Sequence, residues 1–422
     1  MLAAFEGLFA ESEQLAMRQT PCRIALFFCF TFSLAVLSNL GWAQTHTITV
    51  LHSFTGGGDG EYPTAGLTMD RAGNFYGTTM NGGASNLGVA FRLSPVGSGW
   101  VLTPLYSFQG PPNDGENPSS GVVFGPDGAL YGTTRSGGQH GEGTVYRLRP
   151  SPVACHSVIC PWEETVLWSF GGSDLDGANP GFGNLVFDQA GNIYGTTTFG
   201  GFGTFGVVYE LTPSNGVWTE SILFYFDQET GYLPYSGVIF DSSGNLYGTT
   251  SGHNAGRDAG VVYELSPSGS GWTENILSDV DLGAATCGGV VMDGQGNLFG
   301  ASGCQSTGYP GGVFELTPSN GGWTFNVLHT FSGGPYGPYD GPTLDAAGNV
   351  YGTSSATGLY DAGEVYKLTP SNGGWTYNSV SFDGSNGSDP LGSVILDAAG
   401  NIYGTTRSGG ANGYGTIWMI TP

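Results

Sequence analysis

The sequence predicts an all-β chain: a seven-bladed β-propeller of four-stranded antiparallel blades, closed by pairing of the N-terminal strand with the last blade. Three observations lead there. A marker, Tyr-Gly-Thr-Thr or a close variant behind a Gly-Asn-type turn, begins at Tyr76, Tyr131, Tyr194, Tyr247, Phe299, Tyr351 and Tyr403, in steps of 55, 63, 53, 52, 52 and 52 residues. Periods of this size belong to solenoids, propellers and arrays. Each repeat holds four short apolar segments separated by turn residues, and the two termini carry complementary pieces of one repeat.

The chain opens on an export signal. Ile24 to Val36 is an apolar run, preceded by Arg18 and Arg23 and followed by Gly41-Trp42-Ala43. This reads as a signal peptide cleaved after Ala43. Glu6, Glu11 and Glu13 are wrong for a positive leader, so Met17 is the more natural start. Residues 44–422 then form the propeller. The run is short for a membrane span and no second one follows.

The fourth repeat shows the blade. Ser236 to Asp241 is a first strand, and Ser242-Ser243-Gly244-Asn245 is a tight turn whose Gly and Asn tolerate positive φ. Leu246 to Thr250 is a second strand, Gly260 to Leu265 a third and Trp272 to Leu277 a fourth. Four such strands make a propeller blade. The first strands are apolar at consecutive positions (Val122-Val123-Phe124), as strands buried on both faces are, whereas the fourth alternate. The first strand therefore lies at the axis, where glycine lets backbones approach, and the fourth at the rim.

The last repeat ends at its third strand, Gly415 to Ile420, and lacks a fourth. The segment Thr47 to Phe54 matches the end of fourth strands elsewhere, such as Leu105-Tyr106-Ser107-Phe108 and Leu328-His329-Thr330-Phe331. One strand too many at the start and one too few at the end predict a closed ring. Closure removes the sheet edges that an open solenoid leaves exposed. The long second step reflects an insertion, Ser151 to Pro161, between third and fourth strands.

Composition bounds the partners. Glycine numbers 76 of 422, far above the roughly 7% norm, and recurs at fixed turn positions. The formal charge is −24, so the basic footprint of a nucleic-acid binder is missing and an anionic membrane surface is equally unsuitable. A monomer with a neutral or cationic ligand is expected. Four cysteines follow the leader. If Met292 pairs with Leu298, Cys287 falls almost opposite Cys304, and Cys155 and Cys160 flank a short loop. Both pairs are read as disulfides of an exported protein, against the alternative of four free buried thiols.

The recurring string is Leu-x-Ser-Phe, Asp-Gly-x-x-Pro-x-x-Gly, Asp-x-x-Gly-Asn-(Leu/Ile)-Tyr-Gly-Thr-Thr and Gly-Gly. Over about residues 51–422 it resembles the GloVer (Gloeo–Verruco) tandem repeat of secreted or surface-anchored bacterial proteins. The resemblance implies an exported repeat protein and brings no established chemistry. No C-terminal anchor is visible here. A weaker similarity, to propellers with Asp-x-x-Gly-Asn turns, includes lactonases and lyases.

Candidate site residues divide between the two faces. Asp70, Asp188, Asp241, Asp293, Asp345 and Asp397 lie in the tight turns and read as caps of backbone amides. The opposite face carries longer loops, where binding residues concentrate. There Asp59, Asp114 and Asp176 are candidates to line one side of the channel mouth and bind a cation or sugar hydroxyls, unless Asp-Gly is only a turn signal. Arg135 and Arg407 occupy equivalent places and are candidates to clamp a carboxylate. Asp174 to Gly177 resembles part of a calcium loop but lacks the later ligands. No cofactor is otherwise expected. His52 and His329 fit an aromatic packing slot. The rim tryptophans, Trp100 to Trp375, read as blade packing before a sugar platform. The resulting expectation is a non-catalytic binding module with a glycan or cation ligand. The alternative is a propeller-type lyase or lactonase with an acidic, metal-assisted site. Whether the chain is an enzyme stays open.

Overall fold

The computed structural model describes residues 46–151, 162–254, 259–269, 271–304 and 309–422. The ring is built by His46–Pro422. The signal peptide read over residues 1–43 and the Cys155–Cys160 pair lie outside the described residues. Blade 1 is Thr68–Met69, Phe75–Thr79, Val89–Val96 and Gly99–Ser107, hydrogen-bonded in that order, and blades 2 to 6 repeat it. In blade 4 the ladders join Ile239–Phe240, Leu246–Thr249, Gly260–Ser268 and Gly271–Val280. The insertion of blade 2 falls between Thr144–Pro150 and Trp162–Ser169, its third and fourth strands.

Closure follows the strand arithmetic. Blade 7 supplies Ile395–Leu396, Ile402–Thr406 and Thr416–Ile420, and Ile48–Ser53 adds the outer strand. Ile48 pairs with Ile420, Val50 with Trp418 and Ser53 with Thr416, antiparallel, with a bulge between Val50 and His52. Met292 pairs with Leu298, and Cys287 and Cys304 form a disulfide with Cα atoms 5.9 Å apart.

The marker motif owes each position to a different contact. Its tyrosine donates a hydroxyl hydrogen bond to the aspartate of the preceding turn, as Tyr76 does to Asp70 and Tyr403 to Asp397. Its glycine leaves room for a large ring on the third strand: a Cβ on Gly132 would lie 2.5 Å from the hydroxyl of buried Tyr146. Its first threonine ties neighbouring blades. The hydroxyls of Thr78, Thr196, Thr249, Thr353 and Thr405 donate to the carbonyls of Ser120, Ser236, Gly288, Gly392 and Ala65, each in the next blade, at 2.6–3.0 Å. Its second threonine turns back locally, Thr79 to the carbonyl of Asn81 and Thr406 to that of Ser408.

One expectation is corrected. The first strands are not six residues long; each ladder spans two, such as Ile239–Phe240. Ahead of those two residues the axial backbone leaves its own blade and packs on the neighbours. A Cβ on Gly183 would lie 1.5 Å from the amide of Gly237. Only glycine permits that approach, and it narrows the axis to a cavity of about 190 Å³ lined in part by Asn184, Ser236, Asp340 and Ser393.

The core is a set of seams between blades. One holds Phe54, Phe75, Phe91, Tyr403 and Ile417, and the next Tyr76, Phe108, Val122, Tyr146 and Leu148. Each seam buries aromatic rings from both blades in edge-on contact, including Phe54–Phe91 at 5.4 Å and Phe108–Tyr146 at 5.0 Å.

Candidate functional site

On the long-loop face, five of the seven crossovers from the rim to the next blade pass through a residue at positive φ just before a proline. These are Tyr62, Asn117, Asn179, Leu233 and Asp389, at φ of 50–59°. Side chains other than glycine rarely adopt this conformation. Hydrogen bonds on both sides hold it here. Asp389 donates its N–H to the carbonyl of Ala362, and its own carbonyl accepts the N–H of Arg407. Tyr62 and Asn117 are held the same way, between Tyr414 and Met80 and between Leu87 and Arg135. The five residues repeat around the ring on an over-determined backbone while their side chains differ, which is the pattern of a binding rim.

Arg407 and Arg135 stand in this rim, at equivalent places on blades 7 and 2. Arg407 Nη1 lies 3.2 Å from Asp389 Oδ2, and its guanidinium lies 5.6 Å from the centre of the Tyr62 ring. Tyr339 packs with Tyr235 against Ala285, Cys287 and Cys304. Burial pushes its hydroxyl up, and Tyr235, Tyr336, Asp389 and Arg407 all act on it. Arg135 is exposed; its carbonyl accepts from Asn179 Nδ2 at 2.9 Å. The two arginines belong to separate clusters.

The three aspartates do not join them. Asp59 accepts hydrogen bonds from the Thr55 backbone N–H and hydroxyl, and it lies 3.0 Å from Nε2 of His52 on the outer strand Ile48–Ser53. Asp114, buried, accepts from the Tyr106 hydroxyl and from the N–H of Gln109 and Gly115 at 2.7–2.8 Å. Asp176 accepts from the N–H of Gly172 at 2.8 Å and lines a cleft of about 600 Å³ with His140, Trp168 and Trp218. Asp59 and Asp114 thus pin their crossovers to the preceding outer strand, and Asp176 holds the turn of its own crossover. The metal-assisted reading required these carboxylates to converge. Among the described residues no group of three or more His, Cys, Asp or Glu is placed to hold a metal ion.

Two of the aspartates instead face half-buried glutamates on the outer strands. Burial, then the charge of Asp176, pushes Glu220 up to about 9. Asp176 Oδ1 and Glu220 Oε1 have no other donor, so a proton held by Glu220 satisfies both. Burial and Asp114 push Glu164 up to about 8, and burial and Asp227 push Glu274 up to about 7. These groups are protonated or partly so near neutrality. The histidines pack: His329 stacks on Tyr377 at 3.8 Å and meets Phe331 edge-on.

Sequence reasoning missed Tyr62, Tyr235, Tyr339 and Asp389. For Tyr62 and Asp389 the usable signal was the residue before the crossover proline, which varies between repeats; Tyr235 and Tyr339 follow their prolines and carried no such signal.

Known proteins with similar sequence or shape include the following three. A xyloglucanase from a Paenibacillus species is 27% identical over 280 residues, which is 63% of this chain. The chain spans only 26% of that enzyme's length. A Bacteroides uniformis protein assigned as a 6-phosphogluconolactonase superposes with a TM-score of 0.51 at 14% identity, over 84% of this chain and 97% of its own. An ulvan lyase, a polysaccharide lyase, superposes with a TM-score of 0.46 at 11% identity, over 85% of this chain and 94% of its own. Identities this low concern the fold alone. The Gloeobacter/Verrucomicrobia repeat, by contrast, matches residues 41–159, 162–341 and 305–422 and so takes in the whole propeller; the chain belongs to that family.

Proposed function

We propose that this chain is an exported, monomeric binding module that holds a neutral or cationic glycan at the mouth of the ring on its long-loop face, without catalysis. The observation that carries the reading is the Arg407 cluster. A guanidinium fixed between the Asp389 carboxylate and the Tyr62 ring offers hydrogen-bond donors, an acceptor and an aromatic face in one place. Those are the groups that read sugar hydroxyls and the apolar face of a pyranose. A backbone held by paired hydrogen bonds on both sides keeps them in position before a ligand arrives, which lowers the cost of ordering. The relative named a xyloglucanase favours xyloglucan as the first ligand to try. Export is supported by the leader-like residues 24–43 and by the Cys287–Cys304 disulfide, which suits an oxidising compartment. No helix among the described residues is long and apolar enough to cross a membrane.

A glycan array that includes xyloglucan oligosaccharides tests the proposal, followed by calorimetry on the best ligand. Arg407→Ala is expected to weaken binding by about tenfold or more, the loss of one hydrogen bond from a charged group. An array without a single ligand, or a ligand indifferent to Arg407, overturns the reading.

A further inference from the structure

The seven repeats serve as controls for one another, and one departs from the rest. In blades 3 and 4 the marker tyrosine shares its hydroxyl between two carboxylates. Tyr194 lies 3.3 Å from Asp188 and 2.9 Å from Glu210, and Tyr247 lies 3.3 Å from Asp241 and 3.0 Å from Glu264. Blade 5 keeps both acids at the same register, Asp293 in the turn and Glu315 opposite the marker, but the marker is Phe299. Phenylalanine has no hydroxyl to give. Asp293 Oδ1 accepts from the N–H groups of Gln295 and Asn297, and Oδ2 accepts only from Asn297 Nδ2, at 2.8–2.9 Å. Glu315 accepts no hydrogen bond among the described residues, and burial together with Asp293 pushes its carboxyl up.

A cleft of about 650 Å³ opens at this place, on the tight-turn face between blades 5 and 6. Asp293, Asn297, Phe299 and Glu315 form one wall, and Leu344, Pro370 and Trp375 the other. The size falls in the range of small-ligand sites, and the mixture of apolar walls with a few convergent polar groups is theirs as well. Phe299 and Trp375 meet edge-on at 6.2 Å. A divalent cation suits the wall poorly, because calcium takes six to eight oxygens and only two carboxylates converge here.

We propose that this cleft is a carbohydrate subsite, in which a sugar hydroxyl donates to Asp293 and Glu315 where a tyrosine hydroxyl donates in blades 3 and 4, with the sugar ring against Trp375. The site lies on the face opposite the Arg407 rim, so it stands or falls separately from it.

The test uses the full chain with cellohexaose, xylohexaose and mannohexaose, followed by calorimetry and tryptophan fluorescence. At least one hexaose is expected to bind the wild type. Phe299→Tyr returns the hydroxyl from the protein side and is expected to weaken that binding at least tenfold while Tm stays level or rises. Glu315→Gln, which alters one acceptor, is expected to weaken it at least threefold. Failure of all three hexaoses to bind, or undiminished binding by Phe299→Tyr, overturns the proposal. Arg407→Ala separates the two sites. Binding lost there and kept in Phe299→Tyr leaves the rim reading intact and removes this one; the opposite result removes the rim reading and keeps the cleft.

Discussion

A single carboxylate organises each tight turn. In blade 4, Asp241 accepts the N–H of Ser243 and Asn245, the Asn245 side-chain amide and the Tyr247 hydroxyl. Burial pushes its carboxyl up, but these hydrogen bonds outweigh burial and hold it below the usual range. Asp241→Ala leaves those donors without a partner and is expected to cost about 1–3 kcal/mol, read as a lower urea midpoint with the ring still formed. This role was legible from the spacing Asp-x-x-Gly-Asn, because every partner lies within six residues. The threonine bonds between blades were not legible, since Thr405 reaches Ala65 only once the ring has closed. Asp59, Asp114 and Asp176 were singled out on their motif, yet their partners are a histidine, a tyrosine and backbone amides of their own crossovers. What a carboxylate faces is decided by the loop's path, which the Asp-Gly signal leaves open.

At the scale of strands and loops, the third and fourth strands were placed correctly but read short: in blade 4 they run to Ser268 and Val280 where the reading stopped at Leu265 and Leu277, while the Trp near the start of the fourth and its alternating burial marked its two faces. The axial strands were read too long. Their apolar runs signal burial on both sides, but the close approach of glycines hands that backbone to the adjoining blades. The disulfide followed from register alone, and it staples the hairpin whose strands are Val291–Met292 and Leu298–Ser302. Replacing Cys287 and Cys304 by serine is expected to lower stability by about 3 kcal/mol, for a loop whose ends are 17 residues apart. A urea titration of the wild type with and without reductant should show at least this difference, and the double serine variant should respond to reductant less than the wild type by that amount.

For the whole ring, the half-buried glutamates Glu164, Glu220 and Glu274 give stability a direction in pH. A carboxyl whose folded value lies above its ordinary 4.5 stays protonated in the ring while it ionises in the unfolded chain. Unfolding then releases a proton, so stability falls as pH rises from about 4.5 through the folded values of about 7 for Glu274, 8 for Glu164 and 9 for Glu220, and levels off beyond them. The turn aspartates, including Asp70, Asp241 and Asp397, are held low and act oppositely, their contribution being lost as pH falls below the ordinary 3.8. Tm is therefore expected to peak near pH 4–5 and decline toward pH 9. The triple replacement of Glu164, Glu220 and Glu274 by glutamine should flatten the alkaline limb in scanning calorimetry. Circular closure was the most legible feature of all, since it needed only a count of strands at each end. It also sets a timetable. The clasp joins Ile48–Ser53 to Thr416–Ile420, the earliest and latest strands to be synthesised. Until the final residues arrive, the first of these has no mate, and contacts so distant along the chain form late. The ring therefore cannot lock until Thr416–Ile420 has been made, and a chain cut short of that strand is left with its outer strand unclasped.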